Sequence, residues 1–481
     1  MISSKFVDTT IILISNTIIF ILPISFILGN ALLNLSLSLY IILFIVITLF
    51  KKDFEIYNNI YFKILIIFWF YLILNTLLVN FSENSLFKSL SYLRFIILPF
   101  AFCYFVNKFY FAKKLIFYFY TIIFLLISID ILIQYFSATN LLGYVPKMCL
   151  TISESLINEN INKFDIKNIV DQPNTSGQVL INCERYSGIF NDELVAGSYL
   201  LLFAVPSLFF LINFNKEIKY SMFLFFLTLI LILTASLLTG DRTPVLIMIL
   251  TIIFFFIFSK IKLRNKFFIF LILFSLIFVI ISSTPHLNHR FIKWPFETLK
   301  TSENVKSKVF QDKKKQNFLN IFLFETQWGL HYLTSYEMLL DNKLFGKGIK
   351  SFRTECKKYS LESLKEKYID PGEYKNYKEG PKSGCSTHPH NIYFELLAET
   401  GIIGLLIFVI FILKLIIDTY LKNRSNNKII FIFIFSFVVS YFFPIKPTGS
   451  FFSTWNGYFI WIIVSFYLYW SKIKISRLSN A

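Results

Sequence analysis

The chain has 481 residues, of which 56% are hydrophobic and only 16% are charged, whereas a soluble domain carries roughly 45–50% and about 25%. This composition cannot supply a water-soluble surface, so we expect a polytopic membrane protein. The net charge of +18 fits the positive-inside bias of membrane loops, and it gives no reason to expect nucleic-acid binding.

Apolar runs long enough to cross about 30 Å of hydrocarbon recur along the chain. The first is interpreted as an uncleaved helix, because no small-residue cleavage site follows it and a second run begins at once. The sequence therefore predicts an all-α polytopic membrane protein with about twelve transmembrane helices. They are expected at residues 10–28, 31–50, 61–79, 93–106, 115–136, 194–212, 222–238, 244–258, 267–281, 391–417, 429–443 and 452–470.

The distribution of Lys and Arg predicts the orientation of these helices. If the N-terminus is cytoplasmic, the inner connections, the tails and the adjoining span ends hold 20 basic residues, while the short outer connections hold only Lys88, Arg242 and Lys446. Positive residues concentrate on the cytoplasmic side, so both termini are expected there. The predicted regions are then helices 1–5 (1–136), a first outer loop (137–193), helices 6–9 (194–283), a large outer loop (284–389), and helices 10–12 with a short tail (390–481).

The large outer loop is basic, with 19 Lys and Arg against 12 Asp and Glu. This surplus would suit anionic lipid head groups or phosphates, and a solvated basic loop would explain it equally well. Arg94 and Asp130 lie inside predicted spans, where they are interpreted as buried partners or interface residues.

Four of the five cysteines fall in the two outer loops. Cys149 and Cys183 lie in the first loop and Cys356 and Cys385 in the second, while Cys103 lies in a span. In an oxidising compartment this favours one disulfide per loop, each stabilising by roughly 3–4 kcal/mol, over four unpaired thiols. No CxxC pattern indicates a zinc or redox site.

Polar residues concentrate in three clusters, all on the predicted outer side. The first, residues 184–193, leads into the sixth span. The second, residues 239–244, is the tight turn between the seventh and eighth spans. The third, residues 387–391, opens the tenth span.

In the third cluster, Pro389 suits the first helical position and Thr387 or His388 could cap the helix. His390 would then lie in the first turn, where the helix end disfavours imidazolium and attracts anions, so it is a candidate general base. The alternative is that His390 only anchors a helix at the interface. Asn391, Glu395 and Glu399 follow at spacings of four residues and predict a polar stripe on an apolar helix.

Arg242 lies in a short turn on the side where the short connections otherwise carry almost no positive charge. Its guanidinium could bind a phosphate or pyrophosphate through two parallel hydrogen bonds, or it could pair structurally with Asp241. Arg185 is a weaker candidate, because a loop Arg beside Glu184 is commonly solvated.

These clusters, in this order and on this frame, resemble the superfamily of O-antigen ligases and O-antigen polymerases, which are bacterial envelope glycosyltransferases. The resemblance covers roughly residue 185 to the C-terminus. Many relatives have Ser-Arg where this chain has Asp241-Arg242. The matching segments are ERYSGIFNDELVAGSYL, LLTGDRTP, LFGKGIKSF and STHPHNIYFELLAETGIIGLL.

The resemblance implies a reaction at the periplasmic face of the bacterial inner membrane. The donor would be a glycan on undecaprenyl pyrophosphate, and the acceptor hydroxyl would belong to lipid A core or to a growing glycan, with inversion and without a cofactor. It implies His390 as the catalytic histidine and Arg242, with Arg185, as pyrophosphate-binding. His388, Asn391 and Glu399 are further candidates for substrate binding.

The sequence contains no Asp-x-Asp, so no metal is expected, with arginines replacing the cation. These motifs do not separate a ligase from a polymerase or from a protein O-glycosylating enzyme of the same superfamily. A transporter is the alternative from another class, but no internal repeat is found, and alternating access does not need two long outer loops.

Overall fold

The computed structural model describes residues 4–79, 81–108, 110–148, 184–191, 193, 195–213, 221–260, 262–293, 322–324, 326–369, 383–423 and 429–471. In this part of the chain the fold is all-α, as expected. Its one ladder is a two-residue antiparallel pair, β1 (Lys147–Met148) with β2 (Glu184–Arg185).

Each of the twelve predicted runs contains a helix, and further short helices lie between them. In chain order the helices are α1 (Ser4–Phe20), α2 (Leu22–Leu28), α3 (Asn30–Phe50), α4 (Ile60–Leu78), α5 (Glu83–Ser91), α6 (Leu93–Lys108), α7 (Tyr110–Ser137), α8 (Ala196–Asn213), α9 (Ser221–Leu238), α10 (Arg242–Phe258), α11 (Leu263–Ser283), α12 (Pro285–Asn288), α13 (Gln327–Asp341), α14 (Phe352–Glu355), α15 (Leu361–Tyr368), α16 (Ile392–Asn423), α17 (Ile429–Tyr441) and α18 (Thr454–Trp470).

Within the described ranges, six helices are long and apolar enough to cross a membrane, or seven if the bent pair α1–α2 is one span. This pair is bent by 53°, and Pro23 lies in the first turn of α2. Proline lacks the N–H that would continue the hydrogen-bond pattern of α1, so the helix is interrupted there. Several other apolar helices are shorter than the roughly 20 residues that a span needs. The chain is thus a multi-pass membrane protein, while the count of twelve and the side of the termini stay predictions.

The described chain divides into two compact units. Unit 1 comprises residues 1–116, 250–259 and 302–481, and unit 2 comprises residues 117–249 and 260–301.

Aromatic contacts between helices build the interior of unit 1. Phe95 of α6 meets Tyr458 of α18 with ring centroids 4.7 Å apart. Tyr332 of α13 stacks on Phe394 of α16 at 4.5 Å, which fixes α13 against the start of α16. Such pairs add roughly 0.5–1.5 kcal/mol beyond their burial.

Unit 2 is built on α7, α8 and α9, with Tyr120 of α7 against Phe203 of α8 at 5.3 Å. Asp130 of α7 is a buried partner, as the sequence suggested: its carboxylate accepts the Leu141 N–H at 2.9 Å. Helix α11 instead exposes large apolar side chains, including Phe267 and Ile272. A membrane protein presents such side chains to lipid.

Candidate functional site

Three imidazoles lie together in unit 1, and we call them the histidine cluster. His331 is on α13, and His388 and His390 lie in the segment before α16. The ring centroids of His388 and His390 are 4.2 Å apart, and those of His331 and His390 are 5.5 Å apart. No sequence pattern indicated His331.

Hydrogen bonds account for both ring nitrogens of His331. Its Nδ1–H donates to the Gly384 carbonyl at 2.6 Å, and the Gln327 amide donates to its Nε2 at 3.0 Å. This arrangement fixes a neutral ring and leaves it no nitrogen for chemistry.

His388 is engaged in the same way. Its Nε2–H donates to the Thr448 carbonyl at 3.3 Å, and the Thr387 hydroxyl donates to its Nδ1 at 2.9 Å. By contrast, the His390 ring nitrogens have no hydrogen-bond partner in the part of the chain that the structure describes. His390 is therefore the imidazole that is open to a substrate.

Burial keeps the histidine cluster uncharged. It lowers the pKa of His390 below the usual 6.5, and the neighbouring His331 adds to the effect. Burial and His390 together lower the pKa of His388 to about 4. Near neutral pH these rings are bases rather than cations.

The local backbone differs from the expectation at Pro389. Helix α16 begins at Ile392, and Asn391 caps it, because its Oδ1 accepts the Tyr393 N–H at 2.9 Å. The prediction that Pro389 opens the helix, with Thr387 or His388 as the cap, was wrong. His390 precedes the cap with a left-handed φ of +56°, which carries its ring out of the helical path.

A loop after α17 holds this segment in place. The Thr448 N–H donates to the His390 carbonyl at 2.7 Å, and the Asn391 amide donates to the Pro444 carbonyl at 2.7 Å and to that of Lys446 at 3.2 Å. The hydrogen bonds of Asn391 thus serve the fold. The buried Lys446 amine lies 4.8 Å from the centre of the Tyr441 ring, and burial lowers its pKa to about 7.

Glu395 and Glu399 are buried on α16 and bind loop backbone. The Glu399 carboxylate accepts the N–H groups of Lys350 at 2.7 Å and Phe352 at 3.2 Å. Glu395 accepts the Ser450 hydroxyl at 2.5 Å and the Phe451 N–H at 2.6 Å. The predicted polar stripe exists, and its carboxylates position two loops beside the histidine cluster.

Helix α16 is broken at Gly401, where φ is +67° and ψ is −169°. Residues 343–348, which we call the strap, bridge the break. The Lys347 and Gly348 N–H groups donate to the carbonyls of Ala398 and Glu399 at 2.8 and 2.9 Å, and the Ile402 N–H donates to the Lys343 carbonyl at 2.9 Å. The strap therefore satisfies backbone groups that the break would leave unpaired in an apolar setting.

A second cluster lies in unit 2, where three arginines surround one carboxylate. We call Arg185, Arg242, Arg290 and Asp241 the arginine cluster. Arg185 Nη2 donates to Asp241 at 2.8 Å and to the Gly240 carbonyl at 3.4 Å, and Arg290 Nε donates to the same carbonyl. Arg290 belongs to none of the motifs in the sequence.

Backbone geometry sets the turn that carries this cluster. Gly240 has φ +68°, which glycine adopts without steric cost. The Gly197 N–H, at the start of α8, donates to Asp241 at 3.2 Å. Gln134 of α7 accepts the Gly188 N–H at 2.9 Å and so holds the segment that carries Arg185.

The guanidinium groups of Arg185, Arg242 and Arg290 act on one another with like charge, and the Asp241 carboxylate pairs with Arg185 at 2.8 Å. Burial and the repulsion of Arg185 and Arg242 lower the pKa of Arg290 to about 10, so it stays charged at neutral pH. The Arg185 Nε–H is buried and has no hydrogen-bond partner among the described residues. A bound anion would offset this repulsion and accept this donor.

Residues 227–409 match the family model described as O-antigen ligase. In this region the chain is similar to the O-antigen ligase family. No curated protein matches the chain significantly. The similarity suggests glycosyl transfer of ligase or polymerase type, with glycan and lipid substrates in general.

The O-antigen ligase region contains Arg242, Arg290 and the whole histidine cluster. The structure brings His388 close to His390. Asp241, which the sequence offered as a structural partner for Arg242, forms an ion pair with Arg185. Asn391 and Glu399 lie nearby, bound to backbone groups.

One of the two predicted disulfides lies beside the histidine cluster. Cys356 and Cys385 are bonded, with Cα atoms 5.2 Å apart, and Cys385 precedes His388 by three residues. Cys149 and Cys183 lie outside the described residues. Cys103 is buried with a free thiol.

Proposed function

We propose that the protein transfers a glycan from undecaprenyl pyrophosphate to an acceptor hydroxyl, with lipid A core as the acceptor. The reaction takes place at the periplasmic face of the bacterial inner membrane, inverts the anomeric centre, and uses no metal or cofactor. The observation that carries this proposal is the O-antigen ligase match, which spans Arg242, Arg290 and His390.

His390 acts on the acceptor. Its ring is neutral, because burial lowers its pKa, and its nitrogens are open, so it takes the proton of the acceptor hydroxyl. The oxygen then attacks the anomeric carbon, and the carbon–oxygen bond to the lipid pyrophosphate breaks, with the electron pair leaving on the phosphate.

The arginine cluster acts on the donor. Charge develops on the pyrophosphate as the glycosidic bond breaks, and positioned guanidinium groups stabilise such charge. Arg242 and Arg290 supply these groups, while Asp241 holds Arg185 in place beside them. In this proposal the arginines perform the role that a metal cation has in other glycosyltransferases.

The direct test is transfer activity in purified membranes that contain a lipid-linked donor and lipid A core. His390→Ala is expected to lose transfer by about 10²–10⁴-fold, the usual contribution of a general base. Lys357→Gln, a change at an exposed lysine, is the control for expression and insertion. Near wild-type transfer by His390→Ala would refute the role of His390.

A polymerase of the same superfamily is the second candidate, because the family match covers ligase and polymerase alike. A gel of lipopolysaccharide from a deletion strain distinguishes the two. Loss of every capped form indicates a ligase, and survival of core with one repeat indicates a polymerase. An unchanged ladder would contradict both.

A further inference from the structure

Four cations of unit 1 lie together outside the two clusters described above. They are Lys88 on α5, Arg94 at the start of α6, Lys350 just before α14, and Arg353 in α14. We call them the basic cluster. The Ser85 hydroxyl of α5 donates to the carbonyl of Ile349 at 3.1 Å.

This contact ties α5 to the residue before Lys350. Lys88 follows Ser85 by three residues on α5, so it lies about one helical turn from the contact. Lys350 and Arg353 follow Ile349 by one and four residues. The helices thereby bring cations from distant parts of the chain to one place.

Three members of the basic cluster, Lys88, Arg94 and Arg353, have no acidic partner among the described residues, while Lys350 interacts with the buried Glu395 and Glu399 carboxylates. None of its members forms an ion pair within the described ranges. Lys88 interacts electrostatically with Lys350, Arg94 and Arg353, all of its own sign. Like charges that interact in this way repel one another, and an anion bound among them would offset the repulsion.

The members also have few hydrogen bonds. The Arg94 Nε–H is buried and has no partner among the described residues, and its guanidinium lies over the rings of Phe95 and Tyr458, at 4.9 and 5.7 Å from their centres. Lys350 Nζ donates to the Ser450 hydroxyl at 2.7 Å. Lys88 and Arg353 are exposed.

Lys350 links the basic cluster to the histidine cluster of the same unit. Its charge acts on the His388 ring and on the buried Glu395 and Glu399 carboxylates. The Glu399 carboxylate also accepts the Lys350 N–H, so it holds this residue in place.

We infer that the basic cluster binds a phosphate group of the acceptor glycolipid. The guanidinium groups of Arg94 and Arg353 and the ammonium group of Lys88 suit a phosphate. Because Lys350 links them to the histidine cluster, the bound anion would lie near the group that acts on the acceptor. The inference rests on the proposed function. The same phosphate chemistry is present in anionic membrane lipids, and the experiment separates the two sources.

The experiment measures binding of lipid A to the purified full-length protein in phosphatidylcholine nanodiscs. Lipid A with its phosphates is compared with dephosphorylated lipid A. We expect the wild type to bind the phosphorylated form about tenfold more tightly, and the variant Lys88→Gln/Arg353→Gln to lose this preference. Lys357→Gln, an exposed lysine four residues after Arg353, should keep it.

Equal affinity for the two forms in the wild type, or an unchanged preference in the double variant, would overturn the inference. Phosphatidylglycerol in the nanodiscs tests the source of the phosphate. If it displaces lipid A from the wild type, the site belongs to bulk lipid and the acceptor assignment fails; if it does not, that assignment stands.

Binding is measured without turnover, so this result is independent of the transfer assay. Arg242→Gln should abolish transfer and keep the phosphate-dependent binding. A wild type that binds phosphorylated lipid A and transfers no glycan would refute the proposed function alone.

Discussion

Within the histidine cluster, His390 differs from its neighbours in having open ring nitrogens, and its pKa predicts how transfer depends on pH. Burial lowers this pKa, so the base form is complete at neutral pH and is lost only as pH falls through the lowered value. The value of kcat/KM should be flat above about pH 6.5 and decline below it.

A pH profile of kcat/KM between about pH 5 and 8 checks this. The control is the His388→Asn variant, which removes a ring whose pKa is already about 4 and should leave the midpoint within the range of His390. A midpoint at or above the ordinary value for histidine would contradict the assignment of His390 as a buried base.

A role for Arg290 is predicted from the structure and not from the sequence. Its Nε donates to the Gly240 carbonyl, in the turn that carries Arg242. Arg290→Gln should lower kcat/KM for the lipid-linked donor by about 10²-fold, because a charged donor to the leaving group is lost. Arg264→Gln, an exposed arginine on α11, is the matched control. Equal activity of the two variants would remove Arg290 from the proposed site.

At the scale of elements, the break in α16 depends on Gly401. A Cβ at this position would lie 2.2 Å from the Leu344 carbonyl oxygen, whereas a Cβ at Gly29 would meet nothing within 4 Å, although Gly29 also has a positive φ. Gly401→Ala should therefore lower the free energy of unfolding by about 1–3 kcal/mol more than Gly29→Ala does.

Thermal unfolding in detergent measures this difference, and hydrogen exchange locates it. The Lys347 and Gly348 amides, which bond across the break, should exchange faster in Gly401→Ala and not in Gly29→Ala. Unchanged protection of both amides would show that the strap does not depend on the glycine.

The disulfide between Cys356 and Cys385 anchors the segment that leads to His388 and His390. It closes a loop with a sequence separation of 29, which corresponds to roughly 3–4 kcal/mol in the chain-entropy account. Cys356→Ala/Cys385→Ala should lower the unfolding free energy by about this amount and reduce transfer. Cys103→Ala, at a buried free thiol, is the control that leaves this loop closed.

For the molecule as a whole, the sequence predicted helices well and their local ends poorly. A bilayer requires long apolar runs, so the twelve predicted runs all contain helices. The start of α16 was missed by several residues, because the Asn391 side chain outcompetes the residues before it as a cap.

Within each cluster, the residues that are neighbours in sequence, such as His388 and His390, were predicted. The residues that only folding brings to a cluster, His331 to the histidine cluster and Arg290 to the arginine cluster, were missed. His331 and Arg290 lie far from those motifs in a long polar region. Weak signals existed, because the chain has only five histidines and Arg290 is the first Lys or Arg after Lys266. Their roles follow from distances of a few ångströms that spacing does not reveal.

The orientation in the membrane is the last prediction, and it concerns the whole chain. Twenty basic residues in the inner connections, the tails and the adjoining span ends, against three in the short outer connections, predict cytoplasmic termini. Alkaline phosphatase, which is active only outside the cytoplasm, should be inactive when fused after Ser471 and active when inserted after Tyr368. Green fluorescent protein at the same positions should give the opposite result. Activity of the phosphatase at Ser471 would place the C-terminus outside, and it would put the histidine and basic clusters on the cytoplasmic side, away from any periplasmic acceptor.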